Sequence, residues 1–185
     1  ELCSWLALLD LWNQGSIMAT PTYTLIDSTT LGSSASSVTF SSISATGKGD
    51  LVLVISAKAV EGNGVVRMRI NGDSGANYYS VAMYGTGSAA SSDLNSGFNQ
   101  QTLTHQTNSI STSNFNLMKV EFQDYSATDK HKSYLIRSDE SSFTTQALAG
   151  RWASTAALSS ILLYGGGFTN FAIGSTFHLY QLVSE

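Results

Sequence analysis

The stretch Val66-Arg67-Met68-Arg69-Ile70 alternates apolar and basic side chains at every position. Successive side chains along a β-strand point to opposite faces, so this alternation predicts a strand with one buried face and one exposed face. Val66, Met68 and Ile70 would then face a core, and the two arginines would face solvent. Stretches with the same period of two occur on both sides, which predicts a chain built from strands.

The predicted strands are short, and turns rich in Gly, Ser, Asn and Asp separate them. The uniformly apolar stretch 51–55 is expected to be a central strand, and the Gly- and Ser-rich stretch 85–101 is expected to be a long loop. About ten such strands favour an all-β fold, a jelly-roll-like antiparallel β-sandwich. Strands are expected at 23–25, 38–40, 51–55, 66–70, 78–84, 102–110, 115–123, 132–137, 144–149, 160–164 and 176–183.

The composition allows a folded core but offers little material for charged sites. Of the 185 residues, 42% are hydrophobic and only 12% are charged, and the net charge is -4. Soluble domains usually carry roughly 25% charged residues. Scattered basic residues on an acidic chain argue against nucleic-acid binding. Membrane insertion is not expected, since no apolar run approaches the roughly 18 residues that a bilayer-spanning helix needs.

The first 20 residues differ from the rest and are predicted to form a separate anchoring segment, followed by a β-sandwich domain at 21–185. Apolar residues at helical spacing predict a short apolar helix that docks on a neighbouring protein. Two alternatives remain open: the segment covers its own domain, or Met18 is the natural start. The predicted anchoring residues are Leu2, Trp5, Leu6, Leu9 and Trp12.

The segment after the predicted strand at 66–70 combines turn residues with aromatic residues. Asn71-Gly72 between two alternating stretches predicts a hairpin turn, because both residues accept a positive φ. Asp73 is interpreted as the centre of an Asx-stabilised turn, in preference to a calcium loop. Alternation places one of Tyr78 and Tyr79 outside. The candidate contacts for a ligand or neighbour are Asn71, Asp73, Asn77, Tyr78 and Tyr79.

No catalytic residue, metal site or cofactor is predicted, although two sets of residues were candidates. The three histidines lie in separate strand regions, and the paired acids lie in polar turns where solvated carboxylates are expected. The basic group around Lys132 is interpreted as the solvated start of a strand. The histidines are His105, His131 and His178, and the acids are Asp124, Asp129, Asp139 and Glu140.

Several stretches together resemble a family of bacteriophage virion proteins, found especially in marine cyanobacterial phages. They are SVTFSSI (37–43), DLVLVIS (50–56) and RINGDSGANY (69–78), with GRW (150–152), AALSSI (156–161) and FAIGSTF (171–177) near the end. The resemblance covers residues 22–182 and is weaker in the middle section. Members are usually described only as virion structural or tail-fibre-like proteins.

The resemblance implies a non-enzymatic structural protein on the phage particle surface, either a tail fibre or knob or a capsid decoration. Its expected partners are other virion proteins of the capsid or tail, a host-surface glycan, and further copies of itself, with a homotrimer favoured. Two alternatives stay open. One is a carbohydrate-binding module that uses the tyrosines near Asn71, and the other is a polysaccharide hydrolase, or depolymerase.

Overall fold

The computed structural model describes residues 21–45, 49–105, 110–139 and 144–183. The predicted anchoring helix with Leu2, Trp5, Leu6, Leu9 and Trp12 lies outside these residues. Within them, no helix is long and apolar enough to cross a membrane. The strands of the described ranges are β1 Tyr23–Thr30, β2 Ser37–Phe40, β3 Gly49–Ala57, β4 Gly62–Ile70, β5 Tyr78–Gly85, β6 Ala90–Phe98, β7 Gln101–Thr102, β8 Asn116–Phe122, β9 Lys132–Asp139, β10 Thr145–Trp152, β11 Ile161–Phe168 and β12 Thr176–Val183.

The described strands form two antiparallel sheets, which confirms the predicted all-β sandwich. The large sheet has eight strands in the order β1-β12-β3-β8-β9-β10-β5-β6. The small sheet has four strands in the order β2-β11-β4-β7. Buried side chains from both sheets belong to one continuous hydrophobic cluster, so the two sheets share a single core.

The alternation in the second half of β4 is the clearest sequence pattern that the structure confirms. Val66, Met68 and Ile70 are fully buried, while Arg67 and Arg69 lie on the outer face of the small sheet. The stretch 51–55 lies in β3, between β12 and β8, as predicted for a central strand. Burying one side chain of this size contributes about 1.5–3 kcal/mol, so these strands contribute substantially to stability.

The turn after β4 has the predicted residues but does not form the predicted hairpin. Asn71 and Gly72 have φ values of 53° and 67°, and Asp73 N–H donates to Ile70 C=O over 2.9 Å. However, β4 belongs to the small sheet and β5 to the large sheet, so the two strands do not pair. The hairpin prediction is wrong because a tight turn fixes only the local reversal of the chain, not the partner of the next strand.

The prediction of a long loop at 85–101 is also wrong, because this stretch contains β6. This strand pairs with β5 and forms the edge of the large sheet. Ser, Asn and Asp dominate it, and Leu94 is its one large aliphatic residue before Phe98, so the sequence shows no alternation. Among the described residues of the predicted strand at 102–110, only Thr102 belongs to a strand, at the end of β7, and residues 106–109 lie outside the described part of the chain.

Two predictions about exposure are corrected as well. Alternation in the strand at 23–25 predicts that Tyr23 and Leu25 lie on its buried face, but both are 51% exposed because β1 is an edge strand with only β12 beside it. Lys132 was expected to be solvated, but it is fully buried at an inward position of β9. Its Nζ donates to the carbonyls of Lys130 (3.0 Å) and Thr155 (3.4 Å), and burial lowers the pKa of the amine.

Candidate functional site

Asp73 organises the segment between β4 and β5. Its Oδ2 accepts hydrogen bonds from Trp152 Nε1 (2.6 Å) and Asn77 Nδ2 (2.8 Å), and its Oδ1 accepts one from Gly75 N–H (2.8 Å). Burial alone raises the pKa of Asp73, but the three hydrogen bonds outweigh it and hold the pKa below its ordinary value. The bond to Gly75 is the predicted Asx turn, so the carboxylate stabilises the protein's own chain.

Asn71 connects the same turn to the segment before β11. Its Nδ2 donates to the Ala157 carbonyl over 2.8 Å. Its Oδ1 accepts from the backbone N–H groups of Ser159 (2.8 Å) and Ser160 (3.0 Å). These bonds satisfy backbone groups of a connecting segment that has no ladder partner of its own. Asn71 is therefore engaged inside the fold rather than presented to a ligand.

The two neighbouring tyrosines separate as alternation predicts. Tyr78 is buried, and its hydroxyl accepts from Ile70 N–H (2.8 Å) and donates to the Asp73 carbonyl (3.2 Å). Burial raises the pKa of Tyr78 to about 12. Tyr79 is half-buried on the opposite face of β5, with the Arg151 guanidinium 4.9 Å from its ring centroid. Of the candidate contact residues, Tyr79 is thus the one with an aromatic ring at the surface.

The outer face of the large sheet carries an uncovered group of aliphatic side chains that the sequence did not reveal. We name Val81, Met83, Leu94 and Leu135 the outer patch. Leu94 is 75% exposed and Met83 is 65% exposed. Strand register aligns Leu94 with Val81, Val81 with Ala149, and Ala149 with Leu135, so one apolar row crosses four strands. A contiguous exposed apolar surface of this kind is typical of interaction sites.

Charged residues border the outer patch on the side of β8 and β9. Lys119 and Glu121 form an ion pair on β8, next to Arg137 of β9. Together with Met83 and Leu135, these three residues line a shallow cavity of about 200 Å³ whose surface is mostly apolar. Arg137 is exposed and forms no ion pair within the described residues. The rim of the patch therefore offers a free cation beside an aliphatic surface.

A second group of exposed apolar residues lies at the opposite edge of the same sheet. We name Tyr23, Leu25 and Ile26 of β1 the edge patch. Tyr23 and Leu25 are each 51% exposed, and Ile26 is 39% exposed at a bulge in the pairing with β12. Asp27 follows directly and is also exposed. The large sheet thus has an apolar surface at each of its two edges, one beside a cation and one beside an anion.

The histidines and acidic residues that the sequence offered as candidates lie apart from one another in the described part of the chain. His105 is buried against Asp93 (3.2 Å) on the inner side of β6, and Asp124 pairs with Lys130 (3.0 Å). In the described ranges, no three His, Cys, Asp or Glu residues come together in an arrangement that could hold a metal ion. Glu140 lies outside those ranges. Comparisons with protein-family models, curated proteins and solved structures find no match for this chain.

Proposed function

We propose that this protein is a non-enzymatic structural component of a phage particle, a tail-fibre, knob or capsid-decoration module that acts by contact. The observation that carries the proposal is the outer patch, an aliphatic row across four strands that nothing in the described chain covers. Such a surface gains about 25 cal/mol for each Å² of apolar area that a partner removes from water. We propose that the partner is a second copy of this chain.

The jelly-roll arrangement is part of the proposal, and the strand order supports it. With the consecutive pairs β5–β6 and β9–β10 set aside, the remaining strands run β1-β12-β3-β8 and β2-β11-β4-β7. The first and last strands are then neighbours, as in two Greek-key units folded over each other. The two extra pairs extend the large sheet beyond β8 and create the outer patch.

Charge and position favour contact between the outer patch of one copy and the edge patch of the next. Arg137 borders the outer patch and Asp27 follows the edge patch, so the two surfaces are complementary in charge as well as apolar. A contact between two different surfaces is heterologous, and such contacts generate closed rings when the rotation between copies allows it. A ring of three copies is the proposed assembly. The contact would also cover the exposed edge strand β1.

Multi-angle light scattering on the purified protein tests the assembly. The wild type is expected at three times the mass of one chain. The double variant Val81→Ser/Leu94→Ser is expected to be a monomer, because the two serines remove two of the four side chains of the outer patch, including the most exposed one, and interrupt the aliphatic row. Ile173→Ser is the matched control, since Ile173 is 62% exposed in the turn before β12, away from both patches. A trimeric double variant, or a monomeric wild type, would contradict the proposal.

A mixing experiment separates this contact from one in which two outer patches meet. The variants Val81→Ser/Leu94→Ser and Tyr23→Ser/Leu25→Ser each lose a different half of the heterologous contact. Mixed in equal amounts, they retain one good contact between unlike chains and are expected to form a heterodimer. If two outer patches met each other, mixing would restore nothing. Mass spectrometry of purified particles of the host phage tests the virion location separately.

The carbohydrate-binding alternative has one supporting observation, the half-buried ring of Tyr79 at the surface. Arg151 already covers one side of this ring, which leaves the other side for stacking on a sugar. A glycan array probed with the assembled protein tests this alternative. Binding that persists after Tyr79→Ala would remove Tyr79 from consideration.

A further inference from the structure

The outer face of the small sheet contains a guanidinium group in an unusual position. Arg67 points outward from β4, and its side chain lies flat against the Gly-rich strand β11. A Cβ atom at Gly166 would overlap Nε, Cζ and Cδ of Arg67, so the side chain occupies space that only a glycine leaves free. Gly166 thus permits the guanidinium to lie along the sheet instead of extending into solvent.

One side-chain donor of Arg67 is unused in the described part of the chain. In the part of the chain that the structure describes, Arg67 forms no ion pair, and its Nε is shielded from solvent without a hydrogen-bond partner. A shielded donor with no partner is unfavourable, and native proteins rarely keep one without a reason. The neighbouring Arg69 differs, because its Nε donates to the Asn99 carbonyl over 3.2 Å and its guanidinium lies 5.3 Å from the Tyr164 ring centroid.

Arg67 opens into a cavity of about 370 Å³. This volume is within the range of roughly 300–1,000 Å³ typical of small-molecule sites. We name this cavity the Arg67 pocket. Its lining is more polar than apolar, in contrast to the outer patch. The lining residues besides Arg67 are Asn63, Gly64, Val65, Phe98, Gln100, Thr102 and Gly166.

Three further side chains in the pocket can hydrogen-bond a ligand. The Gln100 amide oxygen accepts from the Tyr164 hydroxyl over 3.1 Å, which leaves the Gln100 amide nitrogen to donate. Thr102 lies opposite Arg67 in the β4–β7 register and offers a hydroxyl, and Asn63 offers an amide. Phe98 is 42% exposed and supplies an apolar wall. The pocket therefore combines one cation, several neutral polar groups and one aromatic ring.

We propose that the Arg67 pocket binds a carboxylated sugar unit of an acidic glycan, with the carboxylate on Arg67. A planar guanidinium forms two parallel hydrogen bonds to a carboxylate, and Arg67 lines the cavity in which that carboxylate would lie. Neutral amides and a hydroxyl suit the hydroxyl groups of a sugar, and Phe98 suits its apolar face. A bare acidic side chain of a protein would use the cation but leave the rest of this polar lining unpaired. The site is independent of the outer patch and of the proposed assembly.

Titrations of the full-length protein followed by nuclear magnetic resonance test the proposal with three probes: glucuronate, glucose and acetate. Glucuronate is expected to shift the backbone amide signals of Gly166 and Thr102 in a saturable manner. Glucose lacks the carboxylate and acetate lacks the sugar ring, so each is expected to bind at least about tenfold more weakly than glucuronate. Equal affinity for glucose and glucuronate, or for acetate and glucuronate, would overturn the assignment to an acidic sugar.

Two variants locate the binding at Arg67. Arg67→Lys keeps the positive charge but removes the planar guanidinium and its paired donors. It is expected to weaken glucuronate binding about tenfold or more. Gly166→Ala keeps Arg67 but fills the space beneath it, and is expected to weaken binding as well. Lys130→Arg, a charge-preserving exchange at an exposed residue that pairs with Asp124, is the matched control and should bind as the wild type does. Circular dichroism verifies that each variant is folded, and unchanged affinity in Arg67→Lys would refute the site.

Discussion

Trp152 Nε1 donates a 2.6 Å hydrogen bond to Asp73 Oδ2, and the two residues are 79 positions apart in the chain. The bond joins the end of β10 in the large sheet to the connection between β4 and β5. Asp73 receives this bond at the point where the chain leaves the small sheet. The pair therefore ties the large sheet to the connection through which the chain leaves the small sheet.

Loss of this bond should destabilise the protein. Trp152→Phe removes the indole donor but keeps an aromatic ring in the core, and we expect the free energy of unfolding to fall by about 1–3 kcal/mol. Asp73→Asn changes the acceptor of the same bond, and the double variant completes a double-mutant cycle that isolates the interaction energy of the two residues. Urea denaturation measures all four proteins. Strictly additive effects of the two substitutions would show that the bond contributes nothing to stability.

The protein should lose stability in acid through Asp73. Its pKa in the folded state lies below the ordinary value, mainly because hydrogen bonds from Trp152, Asn77 and Gly75 outweigh the effect of burial. The carboxylate therefore stabilises the fold fully above its unfolded pKa of about 3.9, and this contribution is lost as the pH falls through the lower folded pKa. We expect the stability advantage of the wild type over Asp73→Asn to shrink in this window.

Unfolding free energies of both proteins between pH 2 and about pH 6 measure this advantage. Glu61→Gln is the matched control, since it removes an exposed carboxylate from the connection between β3 and β4. An advantage of constant size down to the lowest pH would contradict the assigned role of Asp73.

Gly150 should tolerate no side chain. It lies opposite Tyr134 in the β9–β10 register, and a Cβ atom there would overlap the Tyr134 ring. The ring cannot retreat easily, because its buried hydroxyl donates to Gln101 Oε1 over 2.7 Å. We expect Gly150→Ala to lower the unfolding free energy by about 1–3 kcal/mol, the usual cost of overpacking a core. Gly32→Ala is the control, since nothing lies within 4 Å of a Cβ at Gly32.

Thermal unfolding followed by circular dichroism compares the two glycine variants. The control is expected to unfold at or slightly above the wild-type temperature, because alanine restricts the unfolded chain. Equal unfolding temperatures for Gly150→Ala and the wild type would mean that Tyr134 moves aside at no cost, contrary to the packing described above.

The strands that the sequence predicted well are those with a strong hydrophobic contrast. In β4 the arginines alternate with buried apolar residues, and in β3 the stretch 51–55 is apolar at every position, so burial and strand geometry agree. In β6 the hydroxyl-rich sequence has no such contrast, because an edge strand with one exposed face needs few apolar residues. The strand that carries Leu94, the most exposed residue of the outer patch, could therefore not be predicted from the sequence.

The candidate site was predicted only in part for a related reason. Turn chemistry is local, so Asn71, Gly72 and Asp73 were recognised as turn residues from their order alone. The partners that occupy Asp73 and Asn71, namely Trp152 and the segment 157–160, come from distant parts of the chain. Their hydrogen bonds turn candidate ligand contacts into internal supports.

The amino-acid sequence by itself determined the all-β class, the inward faces of β3 and β4, and the reversal at Asn71-Gly72, because these depend on side-chain period and local backbone preference. Only the tertiary structure decided which sheet each strand joins, and thereby brought the outer patch together across four strands. It also placed Gly166 beneath Arg67. Both arrangements join residues that are far apart in sequence, and no local pattern encodes their contact.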